Sequence, residues 1–226
     1  MSFYEDLKAQ CPDDWSSYVY HPFVQGMGEG TLPEEAFKHY LIQDYLFLIN
    51  FGRAYALAVF KSDNLDDMRQ AAATMNALLN DEMQLHISYC AEWGIEKEVL
   101  EGVKEASANL AYTRYVMERG LSGDILDLLV ALAPCVMGYA EIGSRLADDH
   151  VADMENNPYR PWIEMYASSE YQQAAAGAYG QLERVAMSRL GEDYQNSGRW
   201  KDLCNTFSTA TRLEAGFWEM GITGAM

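Results

Sequence analysis

Apolar residues recur at steps of three and four along almost the whole chain, a spacing that keeps side chains on one face of a helix and restricts the fold to packed helices. Only 6 prolines interrupt the 226 residues. Gly, Pro, Asn and Asp gather at "HPFVQGMGEGTLPEE", "EWGIEKE", "RGLSGD", "ENNPYRPW" and "LGEDYQNSGRW", which mark the breaks. Between them the pattern predicts helices near residues 3–17, 34–62, 65–93, 96–119, 124–151, 161–189 and 200–219. Thr31, with Glu34 three residues later, reads as a capping box opening the second of these. No connection has the composition of an interdomain linker, and there is no internal repeat or low-complexity tract. The expectation is one all-α domain.

Composition narrows the function. A hydrophobic content of 49% supplies a substantial core. The net charge of −18 argues against a nucleic-acid partner, which needs a basic surface to displace counterions, and against adhesion to anionic membranes. No run of about 18 apolar residues is evident, so no membrane span is expected. The start, "MSFYEDLKAQ", has acids where a secretion signal would have a basic and then apolar run. Cys11, Cys90, Cys135 and Cys204 are scattered without a CxxC pair, which fits reduced thiols and a cytoplasmic location.

The informative pattern lies in four helical seams. They run Phe37, Leu41, Asp44, Leu48, Phe51, Tyr55; Ala71, Met75, Leu78, Glu82, Leu85, Tyr89; Leu128, Leu132, Cys135, Tyr139, Ile142, Leu146; and Leu203, Phe207, Ala210, Glu214, Phe217. Each is apolar except for one ionisable group near its middle. A buried carboxylate without partners costs several kcal/mol. Each acid must therefore be satisfied locally or share a polar pocket. For Glu82 a local pair with His86, four residues on, is a sufficient account. Asp44, Glu214 and Cys135 together point to a common pocket in a bundle core, where helical proteins build ligand sites.

Pro134 sits in the same seam helix as Cys135. It lacks an N–H, so it leaves the carbonyl of Val130 without its helical partner, and the expected bend would open space beside the thiol. A buried cysteine is otherwise a small inert hydrophobe. His21 before Pro22, His39 on a charged face and His150 near a helix end read as structural or exposed. No Gly-rich phosphate loop, GxSxG elbow or HExxH is present.

The ordered words "FKHYLIQDYLFLINFGRAYALAVFK", "EMQLHISYCAEWGI", "AYTRYV", "ALAPCVMGYAEIG", "YRPWIEMYAS" and "FSTATRLEAGFWEM" resemble the TenA/thiaminase II family over nearly the whole chain. The resemblance implies a single domain over residues 1–226 with the heme-oxygenase-like helical fold. It implies an aminopyrimidine aminohydrolase that converts 4-amino-5-aminomethyl-2-methylpyrimidine to the hydroxymethyl pyrimidine and ammonia, and that in many members also cleaves thiamin. It implies no metal and no organic cofactor, a small-molecule aminopyrimidine or thiamin as partner, and a homotetramer. Carried over by position, Cys135 would add to the ring and Glu214 would protonate a ring nitrogen. Asp44 would grip the amidine edge, and Tyr139 would assist proton transfer. Phe47, Tyr112, Tyr139, Tyr166 and Phe217 would line or stack on the pyrimidine, Phe47 standing where the family often has tyrosine. Cys135 places the chain in the cysteine-containing branch.

Simple chemistry agrees with these roles. Adding a thiolate to an aromatic ring requires a ring nitrogen to take up a proton as the bond forms, and burial keeps an acid protonated for that step. Two other readings share some residues. A non-catalytic binder of the pyrimidine or thiamin would use the same pocket. A di-iron oxidase would start from Glu82, His86 and Glu141, but four histidines so placed leave its ligand set incomplete.

Overall fold

The computed structural model describes residues 2–149 and 154–226, all but the side chain of residue 81. Every long element among them is helical: α1 (Phe3–Ala9), α2 (Pro12–Val19), α3 (Pro22–Glu29), α4 (Glu34–Lys61), α5 (Leu65–Asn76), α6 (Met83–Glu92), α7 (Lys97–Gly102), α8 (Ser107–Ser122), α9 (Ile125–Asp149), α10 (Arg160–Ala167), α11 (Ser169–Leu190) and α12 (Trp200–Thr223). A π-helical segment, Ala77–Glu82, joins α5 to α6. The end expected at residue 151 and His150 lie outside the described residues.

The long element α4 matches its expected span, α9 starts within one residue of its expected start, α12 starts as expected and runs on to Thr223, and the shorter ones correct the sequence reading in ways that backbone chemistry explains. The first expected helix is two, because the non-helical backbone of Cys11 (φ −139, ψ 54) precedes Pro12 and breaks the run. The stretch expected to be a turn at Pro22 is itself a helix. Pro22 occupies its first turn, His21 Nδ1 accepts the N–H of Phe23 at 3.2 Å, and left-handed Gly30 (φ 69) closes it. That closure uses Thr31, whose N–H bonds the carbonyl of Gly26 at 2.8 Å, so the expected capping box does not form. Pro33 stands at the cap of α4 with no side-chain bond, and the Thr31 hydroxyl donates to Glu29 instead.

The chain divides into two compact units. The first comprises residues Met1–Leu32 and Leu129–Ala215. Glu183 on α11 accepts the N–H groups of Phe3 (3.0 Å) and Tyr4 (2.8 Å) and so ties down the start of α1. Asn157 donates to the carbonyls of Met27 and Gly28 at 2.8 and 2.9 Å, which fixes the end of α3 near the start of α10. Trp15 stacks on Phe207 within the core of this unit.

The second unit comprises Pro33–Leu128 and Gly216–Met226, with α4 packed against α5, α6, α7 and α8. Gln43 is fully buried here. Its amide donates to the carbonyl of Lys104 (3.0 Å) and accepts from the N–H of Ala106 (2.8 Å) and from Asn109 (3.1 Å). These bonds hold the extended residues 103–106, and so α7 and α8 are separate helices where one was expected. Ser168, extended and capping Tyr171 N–H at 3.2 Å, divides α10 from α11 in the same way.

One exclusion made from composition needs correcting. An 18-residue window of α9 has a mean hydropathy of 1.8 and is apolar enough to cross a membrane by length and composition. That window is 89% buried, as expected of a central helix in a folded core. Asp127 and Glu141 break the stretch in the sequence, so no uninterrupted apolar run of that length is seen there. No disulfide joins the four cysteines.

Candidate active site

Three of the four seams are buried as the spacing predicts. Asp44, Cys135 and Glu214 are 5%, 7% and 2% exposed, each in a file of buried apolar neighbours. The fourth seam shifts register. An α-helix would carry its buried face from Leu78 through Glu82 to Leu85 and Tyr89. The π-helical turn inserts a residue, and the buried side chains after Leu78 are Met83, His86 and Cys90, while Leu85 is 60% exposed. This insertion turns His86 into the core.

The expected Glu82–His86 pair is therefore not formed. His86 Nε2 lies 2.9 Å from the carbonyl oxygen of Leu41, and Nδ1 lies 3.5 Å from Asp44 Oδ2. Burial pushes the ring's pKa down to about 4, with the bond to Leu41 opposing the shift. Glu82 is half-buried, makes no hydrogen bond among the described residues, and is pushed up by burial to about 7. Cys90, one turn after His86, is pushed up to about 12 by burial and, to a smaller extent, by Asp44.

In the second unit three of the expected lining residues meet. Phe47 lies 5.2 Å from Tyr112 and 5.6 Å from Phe217 between ring centroids, and stacks on Phe51 at 5.2 Å. A fully apolar Phe47 suits this cluster of rings. In the first unit Tyr139, one turn after Cys135, lies 4.8 Å from Tyr166 and 5.8 Å from Trp162. Gly143 permits this, because α10 passes so close that a methyl there would sit 2.6 Å from the Tyr166 backbone. Gln172 bridges the two helices by donating to the carbonyls of Ala140 (2.9 Å) and Tyr166 (2.8 Å). Glu141, weighed as an iron ligand, is held by Lys8 Nζ at 2.6 Å and Trp15 Nε1 at 3.1 Å. Among the described residues no three His, Cys, Asp or Glu side chains are grouped to hold a metal.

The profile of the TENA/THI-4/PQQC family matches residues 9–224. The chain belongs to the TENA/THI-4/PQQC family. An aminopyrimidine aminohydrolase of Halalkalibacterium halodurans is 35% identical to this family member over 227 residues, covering 100% of this chain and 98% of the other. The crystal structure of a TenA family transcription regulator from a Silicibacter species is similar with a TM-score of 0.94 and 50% identity, over 97% of this chain and 96% of that one. A heme-oxygenase-like domain from Shewanella denitrificans has a TM-score of 0.74 at 13% identity, over 98% of this chain and 92% of that one, and shares the fold alone.

For this TENA/THI-4/PQQC member, sequence reasoning missed two neighbours of the expected site residues, Trp162 on Tyr139 and His86 on Asp44. Trp162 had a signal in the quoted "YRPWIEMYAS", where it precedes Tyr166 by one helical turn. His86 had none that spacing alone could supply, since its inward turn depends on the π-helical insertion.

Proposed function

We propose that this chain is a hydrolase of thiamin metabolism that converts 4-amino-5-aminomethyl-2-methylpyrimidine to the hydroxymethyl pyrimidine and ammonia, and that also accepts thiamin. One observation carries the reading. A thiol and two acids occupy buried seam positions, one each on α9, α4 and α12, in a chain that aligns end to end with an aminopyrimidine aminohydrolase. In this reading the Cys135 thiolate adds to the pyrimidine ring while Glu214 gives its proton to a ring nitrogen, which makes addition to an aromatic ring accessible. The resulting enamine-like ring expels ammonia from its methylene carbon. Water adds there, and loss of the thiolate restores the ring, Glu214 recovering its proton.

Asp44 accepts the amino N–H of the pyrimidine, and Tyr139 assists proton transfer. The rings of Phe47, Tyr112, Tyr166 and Phe217 supply flat walls of the kind an aromatic ligand stacks on. The reading includes assembly as a homotetramer in the cytoplasm; Phe60, Leu85 and Leu121, all exposed, offer apolar surface for it. Regulation by direct DNA contact is not proposed, because a chain of net charge −18 repels the phosphate backbone.

The test is turnover of the aminomethyl pyrimidine by the purified protein and by its Cys135→Ser and Cys135→Ala variants. Ammonia release by the parent and its loss from both variants is the expected result. Unchanged rates in both variants would remove Cys135 from the reaction, and an inactive parent that binds the pyrimidine would make the chain a binder.

A further inference from the structure

α10 is a helix of 8 residues, too short to be stable without tertiary contacts, and it carries Trp162 and Tyr166. A single extended residue, Ser168, joins it to α11, so its position depends on what its flanks touch. One flank rests against Gly143 of α9. The other fixing is a hydrogen bond. A carbonyl in the last turn of a helix finds no N–H of its own helix to accept, and Tyr166 stands in that turn of α10. Gln172, one turn into α11, donates to this carbonyl at 2.8 Å.

The same nitrogen makes a second bond. It donates to the carbonyl of Ala140 at 2.9 Å, and a helix carbonyl can accept twice because it has two lone pairs. An amide nitrogen carries two hydrogens, so the two bonds use both. The amide oxygen in its place would repel both carbonyls, which fixes the orientation of the group. The hydroxyl of Tyr171 donates to the carbonyl of Val136 at 3.4 Å, one turn before Ala140. Consecutive residues of α11 thus grip the part of α9 that follows Cys135, and Gln172 carries the grip over to α10.

The parts so joined bear a set of rings. Tyr166 lies 4.8 Å from Tyr139, 4.5 Å from Trp162 and 4.7 Å from Tyr171 between centroids. Tyr139 shares α9 with Cys135 and keeps its place beside it. Tyr166 sits on the short helix, and its place against Tyr139 is set from outside that helix. A displacement of about 1 Å in a site can cost as much as about 100-fold in activity, so such a fixing has consequences for a ligand.

We propose that Gln172 is a positioning residue whose side-chain nitrogen clamps α10 to α9, so that Tyr139 and Tyr166 meet the pyrimidine as one fixed pair. This deepens the aminopyrimidine reading and rests on it for the ligand. The bonds of Gln172 go to backbone carbonyls and it touches no reacting atom. Its loss moves Tyr166 more than Tyr139 or Cys135, and so weakens binding more than chemistry.

Nuclear magnetic resonance of the full chain, labelled in glutamine side chains and tyrosine rings, tests the clamp without any ligand. Both side-chain amide hydrogens of Gln172 should exchange with solvent about 10-fold more slowly than those of free glutamine, or slower still. An Overhauser contact should join the rings of Tyr139 and Tyr166. Gln172→Met keeps the length of the side chain and removes its donors, and the ring contact should weaken by about half or more. Exchange at the free rate in the parent, or an unweakened ring contact in Gln172→Met, would overturn the proposal. Kinetics test the role. Gln172→Met should raise KM for the aminomethyl pyrimidine by about 5-fold or more while kcat falls by less than about 3-fold. Gln172→Lys, whose ammonium can again donate to both carbonyls, should recover part of that loss. An unchanged KM, or a fall confined to kcat, would also overturn the proposal. If the parent protein does not turn the pyrimidine over, the ring contact still decides whether Gln172 positions the pair, and only the proposed function falls.

Discussion

Gly143→Ala should destabilise the first unit, and the size of the effect follows from where the added methyl would go. An ideal Cβ at residue 143 lies 2.6 Å from the carbonyl carbon and the Cβ of Tyr166 and 2.9 Å from the nitrogen of Ala167. Carbon atoms pack best at about 3.5–4.0 Å, so α10 has to retreat by roughly 1 Å. The obstacles are backbone or bonded directly to it, so no change of rotamer relieves them. Overpacking of this kind costs about 1–3 kcal/mol, and the better helix propensity of alanine returns about 0.5–1 kcal/mol. The net loss of up to about 2.5 kcal/mol lowers Tm by up to about 10 °C in a chain of this size. Gly180→Ala is the control, since its only neighbour within 4 Å is Arg184 Nη1 at 3.4 Å, the far end of a flexible side chain. The same alanine there should stabilise by about 0.5–1 kcal/mol. Thermal unfolding followed by circular dichroism, at one chain concentration so that any association is held constant, compares the three proteins. A Gly143→Ala protein that melts at or above the parent would refute the close approach of α9 and α10.

Gln43→Ala should strip the bonds from Lys104 C=O and Ala106 N–H and cost about 2–6 kcal/mol, because unsatisfied buried polar groups cost about 1–3 kcal/mol each; loss of amide-exchange protection at Ala106 checks it. Glu82 and His86 should bend the stability profile in opposite directions. The carboxyl of Glu82, raised to about 7 when folded, favours the folded state below its ordinary value of about 4.3 and loses that benefit as pH rises to 7. The ring of His86, lowered to about 4, gives stability that is complete above about 6.5 and is lost as pH falls to 4. Denaturant unfolding should find Glu82→Gln about 1–3 kcal/mol more stable than the parent at pH 8 and no more stable at pH 4. Equal shifts at both pH values would show that Glu82 is not held protonated by its surroundings.

The fold was legible wherever a helix is long enough for its own periodicity to speak. α4, α9 and α12 carry six, six and five seam residues, and all of these are buried as their spacing requires. Reading failed where a tertiary partner overrides local pattern. Residues 103–106 are extended because Gln43, sixty residues earlier, supplies their hydrogen bonds, and no rule of local propensity contains that information. α3 was read as a turn because its prolines and glycines suit either outcome. Burial of Phe23, Val24 and Met27 decides for the helix.

For the candidate site, spacing gave burial but not partnership. An acid in the middle of an apolar seam must find a counterpart, and the nearest in sequence is the natural choice, which paired Glu82 with His86. The π-helical turn breaks that inference at its base, since it changes the angular step between residues 78 and 83 and carries His86 across to Asp44, 42 positions away in the chain. Insertions of this kind leave no composition signal: "ALLNDEM" would serve equally well as ordinary helix. The cost of the less regular turn must be met by what it places, and here that is a histidine bonded to a helix carbonyl on one side and to a buried acid on the other. Removing one residue from residues 79–82 should therefore leave a regular α-helix that still carries Met83, His86 and Cys90 on the core face, with His86 beside Asp44, and a variant in which Leu85 turns inward instead would refute the insertion.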